Sequence, residues 1–469
     1  MANPSTTLEE IESSGEAQLL ALVDLLRTSV DDIIKEHKNA GIPIPSLDSA
    51  SPLVGGFDRI ESTTPGLRHA VRIVQGACAE LTAIVSNPGL LMFTKALAFA
   101  ESACLQLAIS TKVADHLEGH PEGMHVTDLE SKCGIPADNL GRTLRFLSTR
   151  HIFIEHERDV FSNNRLSMQL RSEASACAIA KLLVNQCFQS SPFLYETLSD
   201  PSTTPGTSAF EKRNGLKLFD YLESDQGHDA APMFAKAMRG IGDISGKSIL
   251  TEVYPWGSLP KTSEISICDV VGNTGHVVMA LLKAFPEHNF KAIVQDLPGM
   301  LAQGAKLWEA QFPAAIEKKR VEFVPVDFLK EAPVAGCDFY YLRLCLHNWP
   351  DSHALEILRN IAKAMRAKPL TSRFLLHDFV LRRATSATKN EVDFIEGLYV
   401  APAPLLANFG AASCAGYNMD INMMGLLAAK ERTLDELLDL SSQAGLSFER
   451  FWDAGIIDIL EFSLPQEVE

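Results

Sequence analysis

The chain has 469 residues, of which 46% are hydrophobic and 22% charged, so it is long enough for about two to four domains with buried cores. A formal net charge of −17 disfavours contact with phosphate backbones or anionic lipid, so we expect neither nucleic acid nor a membrane as a partner. The nine cysteines are scattered and form no CxxC pair, which argues against a disulfide framework and against a metal site.

The first ten residues are polar and acidic, with no apolar core of the kind found in signal peptides. No run of about 18 uninterrupted apolar residues occurs, so we expect no membrane span. Unpaired cysteines are typical of a reducing compartment. We therefore expect a cytoplasmic protein.

Residues 1–88 are predicted to form a helical arm and linker. Apolar residues recur at intervals of three and four over residues 16–39 and again over 67–85, which predicts two helices. Residues 41–65 between them are rich in Pro, Gly and Ser and are predicted to be irregular. Broad apolar faces outside a compact domain indicate a partner surface, and we expect a second subunit there. The alternative is packing onto the same chain.

Residues 89–172 are predicted to form a winged-helix-like domain. A long apolar helix from Phe93 to Leu117 precedes a short helix, for which Thr127 and Glu130 provide a capping box. A third helix over 137–149 and a short strand pair complete the arrangement. A winged helix by itself suggests a DNA-binding regulator. Because the third helix carries only three arginines in an acidic chain, we favour a dimerisation or substrate-lid module.

The remaining chain divides into two further predicted regions. Residues 173–250 are mostly helical, with a loop at 201–206, and are expected to connect the domains and line a substrate pocket. Within 251–469, apolar runs of strand length alternate with amphipathic helices. That alternation predicts βαβ units with a parallel sheet, so the fold class is α/β with a C-terminal Rossmann-like domain.

The strongest local signal follows the first strand of that domain, in Ile265-Ser-Ile-Cys-Asp-Val-Val-Gly-Asn-Thr-Gly-His276. A buried strand ends in Asp269, and a helix begins near His276 after a turn. Gly272 and Gly275 let the backbone of that turn approach a ligand at the carboxyl end of a strand, where open α/β sheets bind cofactors. The turn lacks the Lys-Ser/Thr that follows the glycines of a P-loop, which excludes that motif.

The next two strand ends also carry acidic residues. In Ala292-Ile-Val-Gln-Asp-Leu-Pro298, Asp296 lies about 20 residues beyond the glycine turn and can accept both hydroxyls of an adenosine ribose. The third strand ends in Asp327, which can accept an adenine amino group while Phe328 flanks the ring. A single carboxylate of this kind is more often a helix cap or a solvated charge. Three consecutive strand ends together indicate a nucleotide-binding edge.

His347 follows the fourth strand, on the same edge, in Tyr340-Tyr-Leu-Arg-Leu-Cys-Leu-His-Asn-Trp-Pro-Asp351. Histidine titrates near neutral pH and can take a proton from a phenol or hydroxyl. The alternative is a structural histidine in the loop. Asp378, at the end of the next apolar run, or Glu431 can hold the imidazole in one tautomer. Glu431 is equally compatible with a first-turn helix acid.

Taken together, these residues resemble the plant and fungal small-molecule O-methyltransferases, and most of all the fungal branch of secondary metabolism. The resemblance covers residues 90–465 and is specific in both order and spacing. It is carried by Cys268-Asp-Val-Val-Gly-Asn-Thr-Gly-His276, Val294-Gln-Asp-Leu-Pro298, Asp327-Phe328, Leu342-Arg-Leu-Cys-Leu-His-Asn-Trp-Pro-Asp351 and Lys430-Glu-Arg-Thr433.

The resemblance implies S-adenosylmethionine as cofactor, a small apolar aromatic or polyketide-type substrate, and a homodimer joined by the winged-helix domain. It implies His347 as general base, supported by Asp378 and Glu431. The cofactor-binding residues it indicates are Asp269, Gly272, Gly275, Asp296, Leu297, Asp327, Phe328 and Arg343.

The sequence departs from the family pattern inside the glycine turn. Val271 occupies the position of the first of two usual glycines, and Asn273 follows the second. A β-branched side chain at Val271 is expected to narrow the space beside the methionine part of the cofactor. Some fungal relatives of this fold are pericyclases, which use the bound cofactor without transferring its methyl group. A pericyclase acting on a polyketide–amino acid intermediate is therefore the alternative function.

Overall fold

The computed structural model describes residues 8–50, 63–246, 249–385, 395 and 397–466. Residues 51–62, about half of the predicted irregular linker, lie outside the described residues. Helices α1 (Leu8–Ala40) and α2 (Pro65–Val85) confirm the two helices predicted before and after it. The α2 helix begins where Thr64 Oγ1 accepts a hydrogen bond from the Leu67 amide at 3.1 Å, with proline in the first turn.

The apolar face of α2 packs mainly within its own chain. Ile73 and Ala77 are buried against Leu22 of α1 and against Leu405 and Phe409 of the C-terminal region. The sequence predicts a second subunit over this face, but its buried residues pack onto the same chain, which is the alternative. Apolar residues of α1 stay exposed on the surface: Leu20, Val23 and Val30.

Two arginines of α2 anchor it to the C-terminal region through a buried carboxylate. The Arg68 Nε lies 3.1 Å from Asp453 Oδ1, and the Arg72 Nη1 lies 2.5 Å from Asp453 Oδ2. Burial would raise the pKa of Asp453, but the two guanidinium groups overcome it and lower that pKa. The carboxylate therefore stays charged and holds two buried cations.

The winged-helix-like region has the predicted order of elements with different boundaries. Its helices are α3 (Pro88–Ala96), α4 (Phe99–Ser110), α5 (Val113–His116), α6 (Val126–Cys133) and α7 (Ala137–Ser148), and its strands β1 (Met124–His125), β2 (Ile154–Glu157) and β3 (Val160–Ser162) form a sheet in the order β1-β3-β2. The single long helix predicted from Phe93 is broken, because Leu97 and Ala98 separate α3 from α4 and Lys112 adopts a left-handed conformation (φ 54°). The predicted capping box at Thr127 is wrong. His125 is the N-cap, and its Nδ1 accepts from the Thr127 amide at 3.3 Å.

One stretch of this region, Pro88–Ser110, is long and apolar enough to cross a membrane by length and composition, with a mean hydropathy of 1.3. The most apolar 18 residues of that stretch are not buried within the chain, whereas Ala108 and Ile109 near its end are buried. The break between α3 and α4 interrupts it. A single stretch of this kind is weak evidence for a membrane span. The expectation of no membrane partner therefore stays a prediction.

The connecting region is helical, as predicted, with a loop at 201–206. Its helices are α8 (Ser175–Leu182), α9 (Phe188–Ser190), α10 (Leu194–Ser199), α11 (Ala209–Asn214), α12 (Leu218–Glu223), α13 (Ala230–Ile244) and α14 (Ile249–Val253). A π-helical turn, Leu183–Cys187, joins α8 to α9. Such turns are uncommon and occur frequently at functional sites.

The C-terminal region contains the predicted Rossmann-like sheet. Seven strands lie in the order β11-β12-β8-β7-β4-β5-β6. Their bounds are β4 (Ile265–Val270), β5 (Phe290–Asp296), β6 (Val321–Pro325), β7 (Phe339–Arg343), β8 (Arg373–Asp378), β11 (Ser447–Trp452) and β12 (Asp458–Ser463). Strand β12 runs antiparallel to both of its neighbours, β11 and β8. The other neighbouring strands are parallel, so the sheet is mixed. A separate parallel pair joins β9 (Val380–Leu381) to β10 (Arg432–Thr433).

Helices cover both faces of this sheet. They are α15 (His276–Ala284), α16 (Pro298–Gln311), α17 (Pro313–Glu317), α18 (Asp351–Met365), α19 (Cys414–Leu427) and α20 (Leu434–Gln443). Along β4, Cys268 and Val270 pack into the core beneath α18, whereas Ile265 and Ile267 pack beneath α15. The chain runs from β4 outward to β6 and then returns to β7 on the other side of β4. The carboxyl ends of β4 and β7 therefore flank the crevice in which such sheets bind ligands.

We expect Asp453→Ala to lower the free energy of unfolding by about 3–5 kcal/mol, because it leaves Arg68 and Arg72 buried without their counter-ion. Urea unfolding followed by circular dichroism measures this change. Lys291→Ala removes only the exposed pair with Glu322 and serves as the control. A loss in Asp453→Ala no larger than that of the control would contradict the anchoring role.

Candidate functional site

The structure brings the three predicted catalytic residues together at the carboxyl edge of the sheet. His347 lies in a 3₁₀ turn (Leu346–Asn348) after β7, Asp378 ends β8, and Glu431 immediately precedes β10. The Nδ1 of His347 lies 2.7 Å from Glu431 Oε1 and 3.8 Å from Asp378 Oδ1. The two carboxylates are buried, and the imidazole is 12% exposed. Because both acids face Nδ1, Nε2 is the nitrogen available to a substrate.

A buried guanidinium that sequence reasoning missed holds this turn in place. Arg432 donates from Nη1 to the carbonyl of Leu346 at 2.8 Å and from Nη2 to that of Trp349 at 2.7 Å. Its Nε donates to Asp351 Oδ1 at 3.0 Å. The residue is 2% exposed although fully charged. Arg432 thereby fixes the backbone on either side of His347.

The position of Glu431 is set by helix α19. Its amide donates to Asp420 Oδ1 at 3.0 Å, which ties the strand to the middle of that helix. Thr433 then caps α20 with a capping box completed by Glu436, as expected for the predicted capped helix. Glu431 is therefore held for hydrogen bonding to His347 and is not a first-turn helix acid.

The electrostatics of the triad favour a protonated imidazole. Burial alone would lower the pKa of His347, but Asp378 and Glu431 together raise it to about 9. Burial raises the pKa of Glu431 to about 7 and also raises that of Asp378, in both cases against the pull of His347. His347 is therefore a stronger base than an ordinary histidine.

The three side chains of this triad also have the ligand types and the spacing of a possible metal site. Their nearest ligand atoms lie within 4.8 Å of one another, which is close enough to surround an ion. Our sequence analysis predicts no metal. His347 Nδ1 already pairs with Glu431 Oε1, whereas Glu431 Oε2 is buried without a hydrogen-bond partner among the described residues. Removal of metals is therefore a useful control in any assay of this site.

The two glycines of the turn lie close to side chains of the same chain, and their predicted approach to a ligand stays a prediction. A Cβ on Gly272 would lie 2.4 Å from the Asp269 carboxyl carbon, and one on Gly275 would lie 2.6 Å from Val294. Gly275 also has a φ of 69°. A larger residue at either position would have to displace these side chains, and at Gly275 it would also adopt a left-handed conformation that disfavours a side chain.

Val271 and Asn273 adopt left-handed conformations in the same turn, with φ of 58° and 55°. This conformation is an outlier for a β-branched residue and stores strain. The side chain of Val271 packs against the core cluster beneath α18, in company with Phe328 and Trp349. Its strained backbone marks the one point at which the turn departs from the family pattern.

Two buried carboxylates lie at the neighbouring ends of β4 and β5. Asp296 accepts from the Asn273 amide at 2.8 Å and from the Leu297 amide at 2.7 Å. Burial raises the pKa of Asp269 to about 7, and Asp296 adds to the effect, while Arg343 opposes it. Buried carboxylates placed this close are stabilised by a cationic ligand. S-Adenosylmethionine, with its sulfonium and ammonium groups, fits that requirement.

The other predicted cofactor residues lie along the same edge. Leu297, at the start of α16, is 52% exposed, so its side chain is accessible to the adenine ring of a bound cofactor. Phe328 stands edge-on to Trp349 at 5.9 Å. Arg343 donates from Nη2 to Ser245 Oγ at 2.5 Å. Asp327 is paired with Lys330 at 2.7 Å, so its role toward an adenine remains a prediction.

We expect the His347 imidazole to titrate near pH 9 in the free protein, because two acids hold its proton. In Glu431→Gln, the loss of one of these charges should move the titration to lower pH. Nuclear magnetic resonance of histidine-labelled protein follows both values. An unchanged titration in Glu431→Gln would contradict the proposed electrostatic support.

Comparison with known families agrees with this geometry. Residues 195–447 match the O-methyltransferase domain model, and residues 94–172 match the O-methyltransferase dimerisation domain model. The chain is 40% identical over 452 residues to 3-O-methyltransferase 2 of Phanerochaete chrysosporium, covering 95% of this chain and 98% of that protein. It is 31% identical to an O-methyltransferase of Armillaria gallica, covering 92% and 94%.

Solved structures share the fold at lower identity. The mitomycin 7-O-methyltransferase MmcR superposes with a TM-score of 0.61 at 22% identity, covering 83% of this chain and 98% of that chain. The complex of LepI with S-adenosylmethionine superposes with a TM-score of 0.65 at 20% identity, covering 85% and 94%. From the two matched domains and the fungal relatives, the chain belongs to the S-adenosylmethionine-dependent O-methyltransferases of secondary metabolism that carry a dimerisation domain.

Proposed function

We propose that the protein methylates a hydroxyl of an apolar aromatic or polyketide-type secondary metabolite, with His347 as the general base. The observation that supports this most directly is the pairing of His347 Nδ1 with Glu431 at 2.7 Å, which leaves Nε2 for the substrate. The pKa of His347, raised to about 9, lies close to that of a phenol, so the neutral imidazole, which is the minor form at pH 7, can take a phenolic proton.

In the proposed mechanism the protein positions two reactants and removes one proton. Bound S-adenosylmethionine would supply the methyl group of its sulfonium, whose S–CH3 bond breaks as the O–CH3 bond forms, which leaves S-adenosylhomocysteine. Asp296 would hold the ribose hydroxyls, and Asp269 would lie beside the cationic end of the cofactor. His347 takes the hydroxyl proton, and Glu431 and Asp378 stabilise the resulting imidazolium. The proton later passes to water, which restores the neutral base. Most of the acceleration comes from alignment of the oxygen with the methyl group.

We propose that the acceptor binds in a cavity of about 370 Å³ that lies against helix α19. The volume is at the lower end of the range for small-molecule sites. Helix α19 contacts the turn that carries His347, and it also binds Glu431 through Asp420. The walls are mainly apolar and include Leu183, Val184, Phe188, Leu194, Ile421 and Leu426.

The alternative is a pericyclase, which would bind the cofactor without consuming it. It is favoured by the strained Val271 in the cofactor turn and by structural likeness to a protein described as a pericyclic reaction enzyme, with a TM-score of 0.63 at 20% identity. Likeness at that identity concerns the fold. The buried pair of His347 and Glu431 supports proton removal and hence methyl transfer.

We expect His347→Ala to lower kcat by about 10²–10⁴-fold, because the variant lacks the proposed proton acceptor. Binding of S-adenosylhomocysteine should be retained, because His347 is not one of the predicted cofactor-binding residues. Incubation with phenolic acceptors and mass spectrometry of the products measures this. A gain of one methyl group supports the transferase, and an isomeric product with unconsumed cofactor supports the pericyclase. His120→Ala, an exposed histidine of the dimerisation domain, is the control. Normal turnover in His347→Ala would refute its role.

We expect a chelator to leave methyl transfer unchanged, because the proposed mechanism needs no ion at His347, Asp378 and Glu431. The assay compares kcat before and after dialysis against excess chelator. Loss of activity that returns with a divalent cation would contradict the proton-transfer role of this triad.

We propose that the biological unit is a homodimer and that the protein is cytoplasmic. Helix α3 and the start of α4, at the N-terminal edge of the matched dimerisation domain, expose apolar residues that a second copy would cover: Leu90, Met92, Phe93, Leu97 and Phe99. All nine cysteines are free thiols, which fits a reducing compartment.

We expect light scattering to give twice the chain mass of 51.3 kDa, because these exposed apolar residues need a partner. Phe93→Glu should weaken the dimer by placing a charge in that surface. A monomer at micromolar concentration in the unsubstituted protein would contradict the proposal.

A further inference from the structure

One face of helix α19 lines the cavity that we assign to the acceptor. Residues 418, 421, 422 and 425 are spaced by three and four, so they lie on the same side of the helix. Opposite them stand Val184 and Cys187 of the π-helical turn. Among the described residues that line the cavity, none is charged. Polar recognition in this cavity therefore depends on neutral groups.

The amide of Asn422 is poorly satisfied within the protein. Its Nδ2 donates to the sulfur of Met419 at 3.6 Å, and its second contact is a hydrogen bond with the Cys187 thiol. Burial raises the pKa of Cys187 to about 12, so that thiol is neutral at pH 7. Thioether and thiol sulfur are weak hydrogen-bond partners. An oxygen atom of a ligand would replace either of them with a stronger bond.

The position of Asn422 relative to the base is fixed by the protein. Asp420, two residues earlier on α19, binds the Glu431 amide at 3.0 Å, and Glu431 binds His347 at 2.7 Å. Given the proposed function, in which the acceptor reaches from this cavity to His347, an oxygen held at Asn422 limits which other oxygen of the ring can meet the imidazole. An anchor of this kind selects which hydroxyl reacts.

We infer that Asn422 is a specificity-determining residue that binds a second, neutral oxygen substituent of the acceptor ring, such as a methoxy, carbonyl or hydroxyl group. The acceptor class is thus an aromatic ring with at least two oxygen substituents, one anchored and one methylated. This inference rests on the proposed function, because it concerns the acceptor of that reaction.

The test compares two rings of the same shape, 2-methoxyphenol and 2-ethylphenol, which differ only in the second oxygen. In the unsubstituted protein we expect kcat/KM to favour 2-methoxyphenol by about tenfold, the effect of one hydrogen bond in an apolar cavity. In Asn422→Leu the ratio should fall to about one, and Asn422→Ala provides a second variant with less bulk. Asn139→Leu makes the same change on an exposed face of α7 and should keep the ratio.

A parallel calorimetric measurement, with the protein saturated with S-adenosylhomocysteine, gives the Kd of each ring. A preference for 2-methoxyphenol in Kd that disappears in both Asn422 variants supports the inference. If that preference is seen but no methylated product forms, the inference stands and the proposed function fails. A ratio near one in the unsubstituted protein, a ratio that survives in both variants, or binding of neither ring overturns the inference.

Discussion

The hydrogen bond between His347 and Glu431 is the interaction on which the site depends. Both side chains are almost fully removed from water, and an isolated charge in that position would cost several kcal/mol. Together they form a pair whose charges compensate, and the pair determines which ring nitrogen is free. The buried Arg432 supports it from outside, since it binds the carbonyls on both sides of the turn and adds no contact to the imidazole itself. Proton removal therefore depends on a framework of backbone contacts as much as on the triad.

The cofactor edge is governed by a second constraint, the parallel arrangement of the central strands. Because β4 pairs with both β5 and β7, their carboxyl ends meet, and the carboxylates of Asp269 and Asp296 come close together. That closeness raises the pKa of Asp269 and disfavours two charges without a cation. A cationic cofactor relieves the repulsion. The closeness of the Asp269 and Asp296 carboxylates, which disfavours two negative charges there, therefore favours binding of a cationic cofactor.

The parallel strands with their intervening helices, and the residues of the triad, could be predicted from sequence because both follow from short-range patterns. The apolar runs show where the strands end, and they predict Asp269, Asp296 and His347 on one edge because the carboxyl ends of parallel strands meet there. Contacts between distant segments could not be predicted in this way. Arg432 reaches a turn more than 80 residues earlier, and Asp453 binds α2 across more than 380 residues. Neither contact has a local spacing that distinguishes it from a surface charge.

Local patterns also failed where two residues compete for one role. Thr127 has the spacing of a cap, but the preceding His125 supplies the acceptor instead. Helix α19 illustrates the same limit on a larger scale. Asp420 and Asn422 are two residues apart and so lie about 200° apart around the helix axis. One supports the base and the other lines the acceptor cavity, so a single rigid element relates both. Leu405 and Phe409, which pack against α2, lie shortly before α19 in the chain. The packing of the N-terminal helices therefore continues into the helix that lines the acceptor cavity and supports Glu431.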